Sequence, residues 1–279
     1  MDAVQMKEIL NPFPTEDSTT QGQQQSVKSI ASTTTLPAES NADLQVIRAN
    51  LKAIEHRDLE IEKGDTFLAK GDIDTAIACY TAAIRLDPKS IDAFYKRGTS
   101  FSLKGNIDRE MADYAYILQL DATNTATFNR RGMAFANMNA FDRAISNYSE
   151  AIRINPSFAE AYNNRALAYA NQGQIEKSIV DLTQAIKVDS ESTNTYFNRA
   201  VMFNNSGQFD KAIADYTETI RIDDQHEMAY MNRAEIHINQ KRFAAAVADY
   251  TQAISINPES AMAFYNRGLA YRALGNEDE

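Results

Sequence analysis

From Gly64 onward a small residue returns every 34 positions: Gly64, Gly98, Gly132, Ala166, Ala200, Ala234 and Gly268. Four places before it stand Glu60, Phe94, Phe128, Tyr162, Tyr196, Tyr230 and Phe264, and three places after it Phe67, Phe101, Phe135, Tyr169, Phe203, His237 and Tyr271. Further along each unit come Tyr80, Tyr114, Tyr148, Leu182, Tyr216 and Tyr250. Numbered so that residue 57 is position 1, these are positions 8, 4, 11 and 24. A period of this length, kept in phase through seven copies, restricts the chain to a repetitive architecture. Each unit is too small to bury its apolar face alone, so neighbouring units must bury it together.

The glycines define the register. Nine of the ten occupy two phases: Gly64, Gly98, Gly132 and Gly268 at position 8, and Gly71, Gly105, Gly173, Gly207 and Gly275 at position 15. Only ten Gly and six Pro among 279 residues leave too few turn formers for an all-β fold. Position 20 is alanine at Ala76, Ala144, Ala212 and Ala246 but Glu110 and Ser178 in two units, and Pro88, Pro156 and Pro258 share position 32.

A helix turns 100° per residue. On the first helix of each unit, positions 4, 7, 8 and 11 therefore share one arc, which the aromatic and small residues mark as packed. Positions 2, 5, 6, 9, 12 and 13 point the other way. Position 6 reads Glu62, Lys96, Arg130, Asn164, Asn198, Asn232 and Asn266. Position 13 includes Asn137, Asn171, Asn205 and Asn239. An asparagine amide carries both donors and an acceptor, so a row of them suits recognition of a peptide backbone irrespective of its side chains. Tyr95, Phe197, Met231 and Tyr265 add apolar surface on the same side.

These motifs resemble the tetratricopeptide repeat (TPR) family, whose pattern is W-x2-L-G-x2-Y…A-x3-F…P. Here Phe or Tyr replaces the Trp and Arg replaces the Leu. The resemblance implies an all-α solenoid of helix-turn-helix units wound into a right-handed superhelix, with the groove face on the first helix. The units expected are 57–90, 91–124, 125–158, 159–192, 193–226 and 227–260. Residues 261–279 supply one further helix, which either caps the array or leads into more chain. The stretch NPSFAEAYNNRALAYANQG is similar to the repeats of O-linked N-acetylglucosamine transferases. In that family a ladder of asparagines occupies position 6, here Asn164, Asn198, Asn232 and Asn266. Chaperone-binding members clamp a carboxylate with Lys at position 5, and no unit here has one. The expected function is a non-catalytic scaffold that binds an extended peptide segment of another protein. The alternative is the substrate-recognition arm of a larger transferase of that glycosylating type.

The recurring Arg97, Arg131, Arg165, Arg199, Arg233 and Arg267 stand at position 7, on the packed arc, so they do not form a phosphate-binding stripe. Sixteen residues on stand Asp113, Asn147, Asp181, Asp215 and Asp249. A partly buried guanidinium needs a partner, and a carboxylate can hold it bidentately. In the first unit both members change together, to Lys63 and Cys79.

A net charge of −10 disfavours nucleic acid and anionic membranes as partners. No long apolar run spans a membrane, and a cytoplasmic protein is expected. One Cys and three scattered His support no disulfide framework, metal site or other cofactor. No nucleophile triad, phosphate loop or HExxH motif is present, so no enzyme is expected. Fifteen of the 26 residues in 15–40 are Ser, Thr or Gln, and residues 1–40 are expected to be disordered. Asn11-Pro12-Phe13 resembles the NPF tripeptide bound by EH domains. Leu44, Ile47, Leu51 and Ile54 mark a lead-in helix over 41–56. Self-association through the last helix is a further expected mode of partnership.

Overall fold

A computed structural model describes residues 41–275. The expected N-terminal tail and its NPF tripeptide lie outside the described residues. Thirteen α-helices and no strand occur among those described. They are α1 (Asn41–Ala69), α2 (Ile73–Leu86), α3 (Ile91–Leu103), α4 (Ile107–Leu120), α5 (Thr125–Asn137), α6 (Phe141–Ile154), α7 (Ala159–Asn171), α8 (Ile175–Val188), α9 (Thr193–Asn205), α10 (Phe209–Ile222), α11 (Glu227–Asn239), α12 (Phe243–Ile256) and α13 (Ala261–Leu274). The described residues fall into two units, divided between Glu55 and His56. In the first unit the described residues are helical, with Leu44, Ile47, Leu51 and Ile54 exposed. In the second, odd-numbered helices are the first helix of each repeat (helix A) and even-numbered ones the second (helix B).

Local chemistry sets the helix ends. Side chains of Asp72, Ser90, Asn106 and Asn124 accept backbone N–H groups three residues on, from Thr75, Ala93, Arg109 and Thr127. Each satisfies one of the donors a helix N-terminus leaves without a partner. Between helices A and B the backbone turns through the left-handed region at position 15. Glycine takes it without steric cost at Gly71, Gly105, Gly173 and Gly207, while Asn139 and Lys241 adopt it with φ of 57° and 58°. The turn between repeats has its own device. The side chains of Asp87, Asp121, Asn155, Asp189, Asp223 and Asn257 each accept the backbone N–H two residues ahead. These Asx turns recur with the same 34-residue period.

Two contacts build the core. Within a repeat, the position-24 ring lies on the position-8 residue. Tyr80, Tyr114, Tyr148 and Tyr216 are buried, and a Cβ placed on Gly64, Gly98 or Gly132 would meet the facing ring at 2.4, 2.8 or 2.5 Å. Between repeats, helix A turns small residues to the preceding unit. Ala93 packs with Tyr80 and Ala83, while Ala263 and Ala270 pack with Ala246, Tyr250 and Ala253. Positions 3 and 10 thus belong to the packed side, which is wider than the arc drawn from the aromatic residues. Their signal in the sequence is a nearly unbroken series of small residues at position 3, namely Ala93, Thr127, Ala161, Thr195, Ala229 and Ala263, each at most 3% exposed.

Candidate functional site

The A helices form the inner layer of the stack. α5 touches α7, and α7 touches α9, across repeat boundaries, whereas no two B helices approach one another as closely. In a curved stack the elements that crowd together lie on the concave side. The candidate site is therefore the exposed part of successive A helices.

Position 6 is tied to the repeat before it. Asn164 donates from Nδ2 to Asn129 Oδ1 at 3.0 Å, and Asn198 donates in the same way to Asn163 Oδ1 at 3.0 Å. Further along, Asn232 donates to the Tyr216 hydroxyl at 3.3 Å. Burial pushes the Tyr216 phenol up to about 12, so it stays protonated at neutral pH. The same step runs through the charged members of the row. Arg130 Nε donates to the Tyr95 hydroxyl at 3.0 Å, and Lys96 Nζ meets Asp65 at 2.8 Å. Lys96, Arg130, Asn164, Asn198 and Asn232 are thereby each tied to the preceding repeat. For Asn164 and Asn198 the bond uses one amide hydrogen and leaves Oδ1 without a partner among the described residues.

The other expected residues are placed differently from one another. Arg130 and Met231 are buried at 8% exposure, so they form the wall more than its open surface. Tyr95 and Phe197 are half-buried, and Phe197 packs against the rings of His226 and Tyr216 at 4.7 and 5.7 Å. Tyr265 is exposed. Asn137, Asn171, Asn205 and Asn239 are exposed and each is the last residue of its A helix. Asn171 donates back to the Leu167 carbonyl at 2.8 Å. Sequence reasoning missed Asn129 and Asn163, the position-5 anchors. The adjacent pair Asn163-Asn164 was the available signal. Asn129, buried at 2% exposure, also donates to Glu160 at 2.9 Å.

The arginine row lies away from this face. Arg97, Arg165, Arg199 and Arg233 each hold the aspartate sixteen residues on through paired hydrogen bonds. Arg131 makes one bond, at 2.6 Å, to the neutral Asn147. Hydrogen bonding to Asp181 raises Arg165 above its usual value, whereas burial lowers Arg131, which has no carboxylate to offset it. In the first repeat Lys63 pairs with Glu60 instead. Among the described residues no His, Cys, Asp and Glu side chains cluster as metal ligands, and no helix is long and apolar enough to cross a membrane.

Family models described as TPR repeat match residues 64–105, 132–173 and 234–275, and models described as tetratricopeptide repeat match 159–192 and 193–226. No curated protein matches the chain. Among solved structures, the Cut9–Hcn1 hetero-tetramer of the APC/C superposes with a TM-score of 0.64 at 14% identity, over 81% of this chain and 46% of that one. This chain thus spans less than half of that relative. PilF of Pseudomonas aeruginosa matches with a TM-score of 0.66 at 16% identity, over 81% of this chain and 100% of that one. YrrB, a TPR protein with an unusual peptide-binding site, matches with a TM-score of 0.55 at 18% identity, over 67% and 96% of the two chains. At these identities the likeness is one of fold.

Proposed function

The chain belongs to the tetratricopeptide repeat family, and from that premise we propose that it is a non-catalytic scaffold that binds an extended peptide segment of another protein along its A helices. The observation that carries this reading is the anchoring of position 6. Asn164 and Asn198 are fixed by the repeat below and keep a carbonyl oxygen available. Side chains held in place before binding lose less rotamer entropy when a ligand arrives. Acceptors recurring at the repeat spacing suit the N–H groups of an extended backbone. Side-chain preference would come from the neighbouring surface: Lys96 toward the start, then half-buried Phe197 and exposed Met228, Met262 and Tyr265.

The test is selection of a displayed library of unstructured 12-residue peptides against the full chain, followed by titration of a selected peptide. Changing Asn164, Asn198 and Asn232 together to Ala should weaken binding about tenfold or more, as expected when two or three net hydrogen bonds of about 1 kcal/mol are lost. Circular dichroism should show the helices retained. A folded triple variant that binds every selected peptide unchanged would reject the ladder as the binding element.

A further inference from the structure

Arg130 is the one arginine of the position-6 row, and it is buried at 8% exposure. Its only bonded partner is neutral: Nε donates to the Tyr95 hydroxyl at 3.0 Å. No carboxylate pairs with it among the described residues. A desolvated charge is costly unless a counter-charge meets it. The position-7 arginines follow that rule, since Arg97, Arg165, Arg199 and Arg233 each hold an aspartate. Arg131 also lacks a carboxylate, but it stands on the packed arc, away from the groove, and bonds to Asn147. Two acids act on Arg130 from beyond bonding distance. Glu160 accepts from Asn129 at 2.9 Å, and Glu110 is itself buried at 3% exposure.

The donors left over define what this arginine can hold. The position-7 arginines meet their aspartates side-on, through Nε and Nη2, as Arg97 meets Asp113. In Arg130 the Tyr95 hydroxyl takes Nε, which leaves Nη1 and Nη2, the end-on fork. Neither η nitrogen bonds to a described residue, and neither is closed off from solvent. The fork thus remains open on a side chain otherwise set in the groove wall. Such a fork matches the two oxygens of a carboxylate. Burial strengthens the attraction through the lower local dielectric, and the bond to Tyr95 reduces the rotamer freedom lost on binding. Glu160, Glu110 and the net charge of −10 set a limit. A single negative charge suits the site better than the double charge of a phosphate.

We propose that Arg130 is a specificity residue of the groove and binds the carboxylate of an Asp or Glu side chain in the extended segment. The assignment rests on the peptide-groove reading and adds the side-chain class that the segment must carry. Asn164 and Asn198 offer acceptors to any backbone, whereas Arg130 selects a charge. Phe197 lies two A helices further along the stack. Packed helices lie about 8–10 Å apart and an extended chain rises about 3.3 Å per residue, so the acid and an apolar side chain on Phe197 stand about five or six residues apart.

The test uses peptides selected on the full chain, synthesised with amidated C-termini so that only a side chain supplies a carboxylate. The selected sequences should share one acid, with an apolar residue at the stated spacing. Changing that acid to its amide should weaken binding about tenfold or more. On the Arg130→Met chain the acid and amide peptides should bind equally. Arg130→Lys keeps the charge and loses the fork, so it should retain only part of the preference. It also carries the assignment if circular dichroism shows that the Met variant has lost its helices. Three outcomes overturn the proposal. One is a set of selected peptides with no common acid. Another is an acid preference unchanged in every folded Arg130 variant, which would put the carboxylate elsewhere. The third is a free-acid peptide that binds far more tightly than its amidated form only while Arg130 is present, which would give the fork to a chain terminus. The triple asparagine variant separates this proposal from the scaffold reading. Binding that is weakened there but indifferent to Arg130 keeps the groove and removes only the arginine, whereas a library that yields no binder removes both.

Discussion

Arg165 grips Asp181 through two parallel hydrogen bonds, Nε to Oδ2 at 2.7 Å and Nη2 to Oδ1 at 2.8 Å, and its Nη1 reaches back to Ser149 of the preceding repeat at 2.9 Å. One side chain thus joins the two helices of its own unit and the B helix below. Asp181 is 94% buried in its side chain, so removing it strands a largely desolvated guanidinium. Asp181→Ala should lower stability by about 3 kcal/mol, the usual cost of breaking a buried pair from one side. A urea midpoint equal to that of the unmodified chain would show that the pair contributes little.

The third repeat supplies the converse case. Arg131 has only the amide oxygen of Asn147, whose Nδ2 donates to the Arg143 carbonyl at 2.7 Å. Asn147→Asp should restore the charged pair of the other repeats and raise stability by about 1 kcal/mol, the difference between a charge-assisted and a neutral hydrogen bond. The gain should be present at pH 7 and disappear in acid, when the new carboxylate protonates. A loss of stability at pH 7 would mean that the bond to Arg143 matters more.

Glu110 stands where four repeats have alanine, and it is 3% exposed. Burial pushes its carboxyl up to about 7, against the opposing pull of Ser102 and Arg130. Because the folded value lies above the unfolded one, about 4.3, the folded chain binds the proton more tightly between them. Stability should therefore fall as pH rises from about 4.3 to about 7 and stay reduced above that. Glu110→Gln keeps the volume and mimics the protonated form. It should be more stable than the unmodified chain at pH 8 and equal to it near pH 4, as read by thermal melts at the two values.

Lys241 occupies the left-handed turn position that glycine fills in four other repeats. Its side chain is exposed, so the substitution Lys241→Gly removes no packing. The strain relieved is about 1 kcal/mol, partly offset by the greater freedom of glycine in the unfolded chain. A small rise in the denaturation midpoint is expected. Asn139→Gly should gain less, because asparagine tolerates this region better. A fall in midpoint for Lys241→Gly would show that its side chain makes a stabilising contact.

Much of the molecule was legible in the chain because the same residue types return at fixed phases. Tyr114 and Gly98, or Arg199 and Asp215, identify one another through five or six repetitions of the same spacing. The Asx turns at Asp87 and its successors were equally periodic, but their signal lies in short polar residues that also fill ordinary loops. Positions 3 and 10 escaped for a different reason. Helix phase alone cannot say that small residues such as Ala93 and Ser100 face a neighbouring unit, since alanine and serine are also common on exposed helix faces.

The repeat register, the helical class and the arginine–carboxylate pairing were determined by the sequence, because each depends on spacing within or between adjacent helices. Tertiary structure decided the rest. It set Asn164 against Asn129 and Asn198 against Asn163, placed Arg130 in the wall, and left Gly268 without a ring above it. Those relations depend on how far one repeat rotates on the next and on which neighbour is present, and neither quantity is written in the period.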